Sequence, residues 1–100
     1  MDSLSKLDES RASLRLLIVL DDSKGGLIQQ ILHAQMKMRY KVGRGAVDSA
    51  VRTCVKLGLI ETIKGKEKPM PSINHCLTNK GREIADLCQQ IKEFLSLEMS

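Results

Sequence analysis

Apolar residues recur along this chain with a helical period in four stretches and fall into two short runs between the third and fourth. The period predicts a first helix over residues 8–20, starting as early as residue 3, with Leu14, Leu17 and Ile18, joined by Leu7 and Ala12, on its apolar side. The stretch DDSKGG ends it near Asp22, because acids oppose the dipole at a helix C-terminus and paired glycines are poor helix formers. From Leu27, the positions Leu27, Ile28, Ile31, Leu32, Gln35 and Met36 predict an amphipathic second helix of about ten residues. KMRYKVGRG, with four basic residues and two glycines, reads as a turn. A third helix restarts at Ala46 and runs to Leu57, its stripe formed by Val47, Ala50, Val51, Cys54 and Val55, and Gly58 ends it. Arg44, Asp48, Ser49, Arg52, Thr53 and Lys56 point away from that stripe.

Residues 59–64 are a short run, β-branched at Ile60, Thr62 and Ile63, and residues 73–77 offer a matching run, which together predict a β-hairpin with a long tip, GKEKPMPS. Pro69 and Pro71 cannot donate ladder hydrogen bonds and fix φ, so they keep the tip out of the sheet and hold its lysines outward. Thr78 is placed to cap a final helix, although Gly81 stands where a capping box wants Glu or Gln. In that helix Ile84, Leu87, Ile91 and Phe94 recur at 3, 4 and 3, a coiled-coil seam widened by Ala85, Cys88 and Leu95. This seam packs on the first helix of the same chain or on a second copy, and a homodimer is the expectation. No repeat, linker or low-complexity tract divides the chain. One domain over 1–100 follows, with a core at about 8–78 and a dimerising C-terminal helix at about 78–98.

Composition narrows the picture. With 42% hydrophobic and 28% charged residues the chain is globular, and with Tyr40 and Phe94 its only aromatics the core must be aliphatic. The formal charge is +4, unevenly placed. Residues 24–68 hold ten of the sixteen basic residues against Asp48, Glu61 and Glu67, a net +7, while residues 1–23 sum to −2 and residues 69–100 to −1. A basic centre between mildly acidic ends is the electrostatic footprint expected for a polyanion. A lysine-tipped hairpin also protects an exposed strand edge from pairing, and Arg52 with Lys56 also suits an ordinary solvated helix face.

The order helix, helix, turn, helix, basic-tipped hairpin, helix is that of a winged helix-turn-helix domain, mainly α with a small β-hairpin and an extended C-terminal helix. AVDSAVRTCVKLGLIET resembles the recognition helix and its exit into the next strand in prokaryotic transcription regulators of the MarR, PadR and ArsR kind. CLTNKGREIADL resembles the end of their wing and the Lys-Gly-Arg opening of their last helix, carried here by Lys80, Gly81 and Arg82, with His75 where those families commonly place an aromatic. The resemblance covers roughly residues 14–95. It implies that the third helix enters the major groove of double-stranded DNA and that the lysine-rich loop is a wing on the backbone or an adjacent groove. Lys37, Arg39, Lys41 and Arg44 would then meet phosphates and the first base edges, Arg52 a guanine, and Ser49 and Thr53 bases or phosphates, with Lys56 on the same face. Lys64, Lys66 and Lys68 would contact phosphates. Asp48 pairs with Arg44 or Arg52, or accepts from cytosine N4. Ile84, Leu87, Ile91 and Phe94 would form the dimer seam. The alternative is a winged-helix interaction module docking on an acidic partner protein.

Other chemistry finds little support. Cys54, Cys76, Cys88, His33 and His75 come from separate elements without metal-ligand spacing, so buried thiols and a core histidine are expected rather than a metal site; were one present, His75 with Cys54 or Cys88 would be the first ligands to consider. An odd number of widely spaced cysteines is expected to stay reduced. Neither histidine sits in a nucleophile motif, and GRGAVD and SKGG lack the remainder of any nucleotide-binding loop, so no enzyme and no cofactor are expected. No apolar run reaches the roughly 20 residues of a membrane helix. The opening MDSLSKLDES lacks the layout of a signal peptide, so a cytoplasmic location without membrane association is expected.

Overall fold

The computed structural model describes residues 12–65 and 72–99, with side chains through residue 95. Helix α1 (Ser13–Asp22) buries five consecutive side chains, Leu16 to Leu20. A helix so apolar around its circumference belongs at the centre of a fold, and α1 packs against each of the other described helices. Its end is abrupt. Lys24 and Gly25 both take positive φ, 62° and 95°, and the Gly25 N–H donates to the Leu20 carbonyl at 2.7 Å.

The chain then forms strand β1 (Gly26–Ile28), helix α2 (Gln29–Tyr40) and helix α3 (Arg44–Lys56), followed by strands β2 (Ile60–Lys64) and β3 (Ile73–Leu77) and helix α4 (Asn79–Met99). The start predicted for the second helix is therefore corrected: Leu27 and Ile28 are strand, paired with His75 and Asn74 of β3. The predicted turn also shrinks. Lys37 to Tyr40 are the last turn of α2, where Lys37 and Arg39 complement the helix dipole, and the connection is Lys41 to Gly43. Lys41 supplies the left-handed residue, φ 57°, and donates its N–H to the Lys37 carbonyl at 2.9 Å. Helix α3 begins at Arg44, two residues before the predicted Ala46.

Helix α3 ends as its sequence demands. Gly58, at φ 77°, donates its N–H to the Val55 carbonyl at 3.0 Å, and Leu59 donates to the Cys54 carbonyl at 2.8 Å. This paired closure satisfies orphan carbonyls and drops Leu59, 2% exposed, into the core. The sheet has the order β1-β3-β2, all antiparallel, with Ile60 opposite Leu77 and Lys64 opposite Ile73. Leu27, Ile60, His75 and Leu77 share its inner face by the two-residue alternation of strands. Above that face lies an aliphatic core of Leu16, Leu17, Leu20, Leu32, Met36, Val47, Ala50, Cys54 and Ala85. Thr78 joins α3, the sheet and α4: its hydroxyl donates to the Gly58 carbonyl at 2.6 Å and accepts the Gly81 N–H at 3.0 Å, capping α4.

Candidate nucleic-acid interface

Helix α3 has two chemically different sides. Val47, Ala50 and Cys54 are fully buried and fasten it to the core, while Arg44, Ser49, Arg52 and Lys56 are exposed, with Thr53 half-buried at the margin. The Arg52 guanidinium lies against the Ser49 hydroxyl at 3.3 Å. Val55, expected in the core stripe, is 42% exposed. Eleven residues is about three helical turns, so it falls on the side of Arg44 rather than of Val47.

The basic residues before α3 divide into two groups. Lys37 and Arg44 line one cavity of about 380 Å³ together with His33, Ala34, Val42 and Gly43, beside the first turn of α3. Lys41 is exposed next to it. Arg39 stands apart, bound to the Asp22 carboxylate at 3.0 Å and lying against the Tyr40 ring at 5.3 Å. Asp22 also accepts from the Gln89 amide at 2.7 Å, so Arg39 ties the end of α2 to α1 and α4. Lys64 is exposed at the end of β2, whereas Lys66 and Lys68 lie outside the described residues.

Asp48 does not pair with Arg44 or Arg52. Its Oδ1 is 2.8 Å from Nε2 of His33, across the α2–α3 junction. That correction places His33, which the sequence raised only in connection with metal ligands, against α3; fifteen positions separate the partners and no local spacing joins them. His75 is a core histidine, 4% exposed, with the Thr62 hydroxyl 3.0 Å from Nδ1 and the Gln29 side-chain carbonyl 3.2 Å from Nε2. Gln29 can only accept there, so Nε2 carries the proton and Thr62 donates to Nδ1. Burial, reinforced by nearby His33, lowers the His75 pKa and keeps the ring neutral.

Burial pushes the Cys54 thiol up to about 11 and also raises that of Cys88. Both are therefore protonated and poor nucleophiles at neutral pH. Among the described residues no three His, Cys, Asp or Glu side chains gather as a metal site, and no helix is long and apolar enough to cross a membrane.

On α4, Ala85 and Cys88 are buried and Ile84 leans on the core. Leu87, Ile91 and Phe94 are 53%, 60% and 61% exposed. Beside them Leu14, Ile18, Cys88, Ile91 and Leu95 line an apolar groove of about 400 Å³, which Arg15, Tyr40 and Lys92 also border.

Among the described residues, three helices in helix-turn-helix order, a three-stranded antiparallel sheet and a closing helix make up a winged helix-turn-helix fold. Solved structures agree. A transcriptional regulator homologue from Pyrococcus horikoshii OT3 matches over 100% of this chain and 99% of its own, with a TM-score of 0.64 at 19% identity. A structure described as a transcriptional regulator of the MarR family from Enterococcus faecalis V583 matches over 97% of this chain and 86% of its own, with a TM-score of 0.71 at 22% identity. SSV1 F-93 covers 85% of this chain and 90% of its own, with a TM-score of 0.63 at 13% identity. No family model matches the sequence, and no curated protein matches it.

Proposed function

We propose that this protein is a sequence-specific, double-stranded DNA-binding transcription regulator of a prokaryotic cytoplasm, acting as a homodimer. The observation that carries the reading is the division of α3: one side is sealed into the core by Val47, Ala50 and Cys54, and the other offers Arg44, Ser49, Arg52 and Lys56 to solvent. A helix held in this way fits the major groove, with Arg52 at the middle of its exposed face reaching guanine O6 and N7. Lys37, Lys41 and Arg44 grip phosphates beside the first turn, where the helix dipole adds to their charge. Lys64, Lys66 and Lys68 position the wing on the backbone, and Thr53 and Lys56 extend the contact along the helix. Arg39 serves the fold through Asp22. Two subunits joined through Leu87, Ile91 and Phe94 place their recognition helices about 34 Å apart on a pseudo-palindromic site. The regulators among the structural neighbours support this reading by fold.

Duplex binding measured against salt tests it. Six or more phosphate contacts require a slope of log affinity on log salt of about −5 or steeper, whereas docking on an acidic protein has no such counterion release from a duplex. On the selected site, Arg52→Ala is expected to cost about 1 to 3 kcal/mol and relax base choice, while Lys64→Ala weakens all duplexes alike. Absent duplex binding at low salt would turn the reading toward the acidic-partner module.

A further inference from the structure

The DNA-reading assignment leaves an acid unexplained. Asp48 is the only acid in α3, set one turn from Arg44 on one side and from Arg52 on the other. An anion there is repelled by phosphates. If it served only to neutralise a neighbouring arginine, it would be found on one. Instead its carboxylate is turned to α2 and anchored through Oδ1 to His33 Nε2 at 2.8 Å.

The exposures of the two partners differ. The His33 side chain is 11% exposed and that of Asp48 is 47% exposed. A carboxylate only accepts, so Nε2 carries the proton, and Nδ1 of the same ring is buried with no partner among the described residues. A buried donor therefore holds an exposed acceptor, at the cost of its own second nitrogen. Oδ2 accepts no hydrogen bond among the described residues. The carboxylate is thus anchored through one oxygen, and it is the only anionic acceptor on a helix whose other exposed charges are Arg44, Arg52 and Lys56.

Resting on the DNA-binding reading, we propose that Asp48 is a specificity-determining residue that accepts a hydrogen bond from the N4 amine of one cytosine in the major groove, with His33 as its positioning residue. The base edges leave cytosine as the best choice. Guanine and thymine present only acceptors in the major groove, which repel a carboxylate, and adenine sets its N7 lone pair beside its amine. Cytosine alone offers an amine without an adjacent acceptor on the same base.

The test is selection of bound fragments from random duplexes by the intact protein, repeated for four variants whose folding is checked by circular dichroism. Wild type is expected to enrich cytosine at one position by about tenfold. Asp48→Ala loses that preference and no other, and binds unrelated duplexes more tightly because a negative charge has gone. Asp48→Asn, nearly the same shape, moves the preference at that position to adenine, whose N6 and N7 match an amide's acceptor and donor. His33→Gln, which keeps an N–H donor, retains cytosine, whereas His33→Leu relaxes the same position. A wild-type site whose base preferences all survive both Asp48 substitutions would overturn the proposal while leaving DNA binding intact. Failure of the wild type to bind any duplex, already visible in the salt titration, overturns both readings.

Discussion

Gly81 shows how a single missing side chain permits the fold. It is the third residue of α4, where a capping box would carry Glu or Gln, yet a Cβ built there would run into the Leu59 carbonyl oxygen. The same carbonyl accepts the Thr78 N–H at 3.0 Å, so it cannot withdraw without breaking the joint between α3, the sheet and α4. Gly81→Ala should therefore destabilise the protein by about 3 kcal/mol, toward the upper end for overpacking against rigid backbone. Chemical denaturation measures it, and a loss below half that figure would mean the joint yields. His75 yields a pH prediction of definite sign. Its folded pKa is depressed below the ordinary 6.5 by burial, so as pH falls below about 6.5 the unfolded chain takes up a proton that the folded chain refuses. Stability contributed by neutral His75 is complete above that pH and declines below it, with a slope of at most about 1.4 kcal/mol per pH unit until the folded ring titrates. Unfolding free energies between pH 7.5 and 5.5 should fall more steeply in wild type than in His75→Phe; parallel profiles would mean that His75 protonates without cost.

Among the elements, those legible in advance are the ones whose signals are local. Helix α3 was readable because Val47, Ala50 and Cys54 repeat on one side and Gly58 supplies the left-handed closure after it. The hairpin was readable from the β-branched run Ile60, Thr62 and Ile63 and its matching partner run, and Thr78 from its position before α4. Strand β1 was not, since three residues carry no period that distinguishes strand from helix, and Leu27 and Ile28 become strand only because β3 lies beside them. The turn before α3 is shorter than its sequence suggests for a related reason. Gly43 and Gly45 drew attention to themselves, but the left-handed residue is Lys41, so α2 continues through Tyr40. On α3, the exposure of Arg44, Ser49, Arg52 and Lys56 was legible from helical geometry alone. The Asp48 partner and the engagement of Arg39 with Asp22 depend on tertiary proximity, which one-dimensional spacing does not encode.

For the whole molecule, the second half of α4 decides how two copies of this chain would meet, and so how the proposed regulator would grip DNA. The described chain measures 49 × 31 × 24 Å, and α4 has 21 residues, about 31 Å of helix, more than the rest of the subunit covers. Ala85 and Cys88 are buried, while Leu87, Ile91, Phe94 and Leu95 are each more than half exposed, and Ile91 and Leu95 also line the apolar groove. A two-fold partner would bury the same row from both sides, because a symmetric pair presents one patch to itself. Ile91→Asp places a charge at the middle of that row while disturbing little within the subunit, where Ile91 is already 60% exposed. Sedimentation velocity should then show a monomer whose circular dichroism is unchanged. The same substitution should roughly halve the slope of log affinity on log salt for a two-half-site duplex, since each lost subunit withdraws its own phosphate contacts. A dimer that survives Ile91→Asp would move the interface to another surface, and a monomer that keeps the full slope would mean that one subunit already makes every contact.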